Sequence, residues 1–143
     1  MTSLTSPAAQ PALGLPNNMP DVIDSLKRLE RIGSENSKTT EKLVAAAEQL
    51  ANRIGELCAP ELNDNFTVTV NGFPQYIFFK NKMCQRAGRN VIWDRTTALQ
   101  FAEDIAKGLL DCIILKLKDE LQTSDRALQT LETAAGALRE KTS

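Results

Sequence analysis

Two long stretches of this sequence repeat apolar residues at strictly alternating steps of four and three, and that spacing constrains the fold more than any other feature. In the C-terminal stretch Leu110, Ile114, Leu117, Leu121, Ser124, Leu128, Leu131, Ala135 and Leu138 follow it, with Ser124 the polar member. In the N-terminal stretch Val22, Leu26, Leu29, Gly33, Asn36, Thr40, Leu43, Ala47, Leu50, Ile54 and Leu57 do the same, departing from apolar character at Gly33, Asn36 and Thr40. A period near 3.5 residues held over this length is that of a helix lying along another helix. The expected seam residues are Leu26, Leu29, Leu43, Leu50, Ile54 and Leu57 in the first unit, and Leu110, Ile114, Leu117, Leu121, Leu128 and Leu131 in the second.

The ends of these units carry their own signals. Asn18, Pro20 and Asp21 read as a helix start, and Pro60 as a stop, which places the first helical unit at 20–59. The polar run GSENSKTT at 33–40 leaves two readings open, one continuous rod or two helices with a break. The second unit is expected at 95–140, capped by Asp94 or Thr97, with Thr97-x-x-Gln100 matching a capping box and Phe101, Ile105, Leu109 and Ile113 forming its first stripe.

Between the helices lies NFTVTVNGFPQYIFF, with alternating apolar residues around Asn71-Gly72. Such a dipeptide suits a two-residue type I′ turn, so a hairpin is expected over 65–80. Pairing about that turn sets Val70 opposite Phe73, Val68 opposite Gln75 and Phe66 opposite Ile77. Phe66, Val68, Val70, Phe73 and Ile77 then share one face, with Thr67, Thr69, Pro74 and Tyr76 on the other. The cover for the apolar face would be the helices, a short third strand near residues 90–93, or a second copy.

A basic connector over 80–95 follows. The net charge of the chain is −1, yet Lys80, Lys82, Arg86, Arg89 and Arg95 stand there against Asp94 alone, giving the window +4 and leaving the remainder at −5. These cations, interleaved with Tyr76 and Trp93 over 76–95, are the ingredients of a phosphate-contacting and ring-stacking surface. No nucleic-acid-binding signature accompanies them. The plainer reading has Phe79, Met83, Ile92 and Trp93 closing the core while the charged tips stay in water.

Catalytic chemistry is hard to place on this chain. It has no histidine, which removes the usual general base and the imidazole metal ligand. Cys58, Cys84 and Cys112 are far apart, with no C-x-x-C pair, and read as reduced thiols of a cytoplasmic protein. The glycines form no phosphate-cradling motif. No catalytic residue, metal site or cofactor is therefore expected. No apolar run reaches the roughly 20 residues of a membrane span.

With 143 residues and 5% aromatic content, a core of aliphatic side chains on packed helices is the expectation. The sequence thus predicts an α+β, mainly α fold, with an extended or disordered arm at 1–19 and one helix–hairpin–helix domain at 20–143. Helix, hairpin, helix with two heptad-bearing arms is a layout of assembly subunits. The leading functional expectation is a non-enzymatic interaction protein that forms a homo-oligomer, or binds a helical protein partner, through its seams. Alternatives are a binder of nucleic acid or of a phosphorylated small ligand through 76–95, and a viral or phage structural subunit.

Overall fold

The computed structural model describes residues 19–69 and 71–142. The arm expected at 1–19 lies outside that range except for Met19, as do Asn18 and Val70. The elements are α1 (Met19–Cys58), a 3-10 turn (Glu61–Asn63), β1 (Asn65–Val68), β2 (Tyr76–Phe79), β3 (Cys84–Arg86), β4 (Arg89–Asn90), α2 (Arg95–Ala106) and α3 (Leu109–Thr142). This is an α+β fold, mainly α. The chain divides into two units, one ending at Lys42 and one starting at Leu43.

In the first unit the 33–40 segment is helical throughout, so α1 is one helix of 40 residues. Every side chain from Met19 to Thr39 in that unit is exposed, and Leu29 keeps 65% of its surface.

The second unit holds the core. Its sheet is an antiparallel meander in the order β1-β2-β3-β4. Ala47, Ala51, Ile54 and Cys58 of α1 join Phe66, Val68, Tyr76 and Phe78 of the sheet, Ala98 and Phe101 of α2, and Leu109 and Ile113 of α3 in one buried cluster. Small residues on α1 let it come close to a strand. A Cβ built on Gly55 would run into the carbonyl oxygen of Phe79.

Three expectations are corrected here. The β1–β2 register is shifted by one residue, with Phe66 opposite Phe78 and Val68 opposite Tyr76. Because side chains alternate across a strand, that single step exchanges the faces of β2. Tyr76 and Phe78 enter the core, Ile77 and Phe79 are half-buried, and Pro74 falls in the loop. The connecting loop runs between Val68 and Tyr76, with Gly72 at φ +90°, and is longer than a two-residue turn.

Next, the basic connector is itself a hairpin. Gln85 pairs with Asn90 and Arg86 with Arg89 around Ala87-Gly88, whose φ values of +54° and +78° are those a type I′ turn requires. The two-residue turn is thus found here rather than at Asn71-Gly72. Met83 and Ile92 are exposed and close no core.

Finally, the helical unit at 95–140 is two helices. Lys107 caps α2 and donates its backbone N–H to the carbonyl of Glu103 at 3.0 Å, and Gly108 takes φ +107° before α3 begins. The start of α2 is a reciprocal cap: Thr97 N–H donates to Asp94 Oδ1 and Asp94 N–H donates to Thr97 Oγ1, each at 2.9 Å. Thr97 therefore closes a box with Asp94, not with Gln100.

The seams are also distributed unevenly. Ile54 is buried and Leu43 and Leu117 lie half-buried against the core, whereas Leu50 and Leu57 are exposed. On α1 the buried line passes through Ala47, Ala51, Ile54 and Cys58, rotated away from the leucines. On α3 nothing from Lys118 to Lys141 is buried.

Candidate functional site

The β3–β4 hairpin and the start of α2 enclose a concave pocket of about 460 Å³. Its floor is aromatic. Tyr76, 1% exposed, stacks on Phe78 at 5.5 Å between ring centroids, and Phe101 meets Trp93 edge-on at 5.4 Å. Trp93 is half-buried, held by Phe101 on one side while it also lines the pocket. Asn90, Thr97 and Gln100 complete the wall.

Two arginines define the electrostatics. Pairing across the type I′ turn puts Arg86 and Arg89 directly opposite one another, so their side chains leave the same face of the sheet. Tyr76 is the next residue in that row, opposite Arg86 on β2. Arg86 is anchored: its Nε donates to Asp104 Oδ2 at 3.0 Å and to the Tyr76 hydroxyl oxygen at 3.1 Å, with the guanidinium 5.9 Å from the Tyr76 ring centroid. The Tyr76 hydroxyl donates to the same Asp104 oxygen. Burial, followed by the hydrogen bond to Asp104, raises the phenol above its ordinary range, so Tyr76 stays a neutral donor. Arg86 uses Nε alone in these contacts, and its two η nitrogens make no hydrogen bond to a described residue. Arg89 is exposed and forms no ion pair among the described residues.

Of the seven residues expected to bind an anion, the pocket brings together Tyr76, Arg86, Arg89 and Trp93. Tyr76 offers no open ring face, since it is core. Lys80, Lys82 and Arg95 do not line the pocket: Lys80 pairs with Glu61 at 3.7 Å, Lys82 occupies the β2–β3 turn at φ +73°, and Arg95 opens α2. Sequence reasoning missed Asp104, which is 5% exposed, and Gln100. In the sequence Asp104 stands beside Glu103 as one of an adjacent acidic pair, which by itself reads as solvated. Its place on the line of Phe101 and Ile105 was the available signal.

Among the described residues no group of three or more Cys, Asp or Glu side chains could hold a metal ion, and no helix is long and apolar enough to cross a membrane. No protein-family model, no curated protein and no solved structure matches this chain.

Proposed function

We propose that the protein is a non-enzymatic assembly subunit whose exposed helical stripes pair with those of a second copy. The observation that carries this reading is the distal part of α3, where Leu121, Leu128 and Leu131 repeat in heptad spacing and Leu131 retains 68% of its surface. A helix gains most of its stability in water by burying such a stripe. The first unit supplies a stripe of the same step in Leu26 and Leu29.

A second copy is the favoured occupant because both arms flank their stripes with charges of mixed sign. Around Leu121 and Leu128 stand Lys118, Asp119, Glu120, Asp125 and Arg126; around Leu26 and Leu29 stand Asp24, Lys27, Arg28, Glu30 and Arg31. Identical surfaces of this kind meet without net repulsion, as a self-complementary interface requires.

Light scattering of the purified protein at tens of micromolar tests it. A dimer or higher oligomer is expected, and Leu121→Glu combined with Leu128→Glu is expected to lower the mass while Trp93 emission stays native. A strict monomer at that concentration overturns the proposal.

A further inference from the structure

The strongest unassigned feature is the pair Arg86 and Arg89. Like charges directly opposite on an antiparallel ladder repel, and a cross-strand pair brings Cβ atoms to about 4.5–5.5 Å. Asp104 offsets part of the Arg86 charge from the Nε side, which leaves the site at net +1 with the η nitrogens uncommitted. Both arginines line one pocket, and a guanidinium fork matches the two oxygens of a carboxylate or phosphate. An anion between them would turn repulsion into two attractions.

The rest of the lining narrows the class. Trp93 is fixed by Phe101 yet half-exposed, which suits stacking of a planar ring. The Gln100 amide makes no hydrogen bond with a described residue, which leaves it for a ring heteroatom. A volume of about 460 Å³ lies in the range of small-ligand pockets. Lys80, Lys82 and Arg95 lie outside the lining, so the cations converge on a point and do not form a track for a polymer.

We infer that this pocket binds a small ligand made of a planar heteroaromatic ring and one anionic group, the anion on Arg86 and Arg89 and the ring on Trp93. The ligand is of mononucleotide size.

Trp93 is the single tryptophan of the chain, so its emission reports on the site directly. The full-length protein is titrated with AMP as the phosphate probe, nicotinate as the carboxylate probe, and adenosine and inorganic phosphate as the two separated halves. A saturable change in emission is expected with AMP or nicotinate, whichever anion the site prefers, and at least tenfold weaker binding with adenosine and phosphate. Arg89→Ala is expected to weaken the preferred probe at least tenfold without lowering the melting temperature, since Arg89 has no ion pair to lose and its removal relieves the repulsion with Arg86. Arg86→Lys should also weaken binding, because an ammonium lacks the fork. Absence of a saturable response to both AMP and nicotinate up to millimolar concentration overturns the inference, as does unchanged affinity in Arg89→Ala. Binding of a single-stranded oligonucleotide that falls as much with Lys80→Ala and Lys82→Ala as with Arg89→Ala would replace it with an extended nucleic-acid surface.

Discussion

Arg86 on β3 reaches Asp104 on α2 through one hydrogen bond of 3.0 Å, and the same Asp104 oxygen accepts the hydroxyl of Tyr76 on β2. Two strands and a helix thus converge on a single carboxylate oxygen. Because Asp104 is 5% exposed, water has little access with which to replace either partner.

Removing that carboxylate should be costly. Asp104→Ala leaves a half-buried guanidinium and a buried hydroxyl without their acceptor, and a loss of about 3 kcal/mol in chemical denaturation is expected. Asp104→Asn keeps an acceptor oxygen and should lose less. A loss below about 1 kcal/mol in the alanine variant would show that the network contributes no stability.

Alkaline pH should weaken the fold through Cys84. Burial pushes this thiol from an ordinary 9.0 up to about 12, so the folded state holds its proton after the unfolded chain has released it. The contribution is complete below pH 9 and is lost as pH rises toward 12, with a slope of about 1.4 kcal/mol per pH unit. Tyr76 acts in the same direction from the ordinary phenol value of 10.0 upward. Melting temperatures followed from pH 8 to 11 should fall in the native protein, and in Cys84→Val the fall should be shallower, the remainder coming from Cys58, whose thiol burial also raises above 9.0, and from Tyr76. Identical profiles would remove Cys84 from the account.

Gly55 should tolerate no side chain. In Gly55→Ala the new methyl group meets the Phe79 backbone carbonyl, which cannot rotate aside, so α1 must lift from β2. A destabilisation of about 2 kcal/mol is expected from overpacking, against a gain in helix propensity below about 1 kcal/mol. Gly33→Ala, where nothing lies within 4 Å, shows the propensity term alone and should be neutral or stabilising.

Ala87 is expected to improve on replacement. It holds φ +54°, a left-handed conformation that costs a residue with a Cβ about 1 kcal/mol. Asn tolerates that region and Gly is free in it, so Ala87→Asn and Ala87→Gly should each stabilise the hairpin by about 0.5 kcal/mol. Thermal unfolding of both variants is the measurement, and a lower melting temperature in both would contradict the turn assignment.

The helices were legible because their signal is long: the residues of α1 and α3 carry apolar spacing over many turns. The sheet was half legible. Asn71-Gly72 announced a hairpin, but a dipeptide cannot specify the length of the loop around it, and one residue of error in the register sent Tyr76 to the wrong face. Strand β3 escaped notice, and β4 was offered only as a short strand near residues 90–93, because Gln85, Arg86, Arg89 and Asn90 show no alternation of apolar and polar residues, and because Ala87 is an unusual choice for a left-handed turn. On α1 the leucines drew the seam toward Leu50 and Leu57, while the close approach of Phe79 selected the line of Ala51, Gly55 and Cys58. Of the pocket, Arg86, Arg89 and Trp93 were visible as a local concentration of charge and ring. Asp104 was not, since its importance depends on a residue 18 positions away.

The meander has a consequence for how the chain finds its structure. Each strand pairs with its sequence neighbour, so zipping the sheet closes short loops and costs little chain entropy. Residues 65–90 can therefore form their ladder before α2 exists. Tyr76 and Arg86 meet Asp104 only across 28 and 18 positions of chain, so the pocket that they shape rests on longer-range contacts than the sheet that frames it.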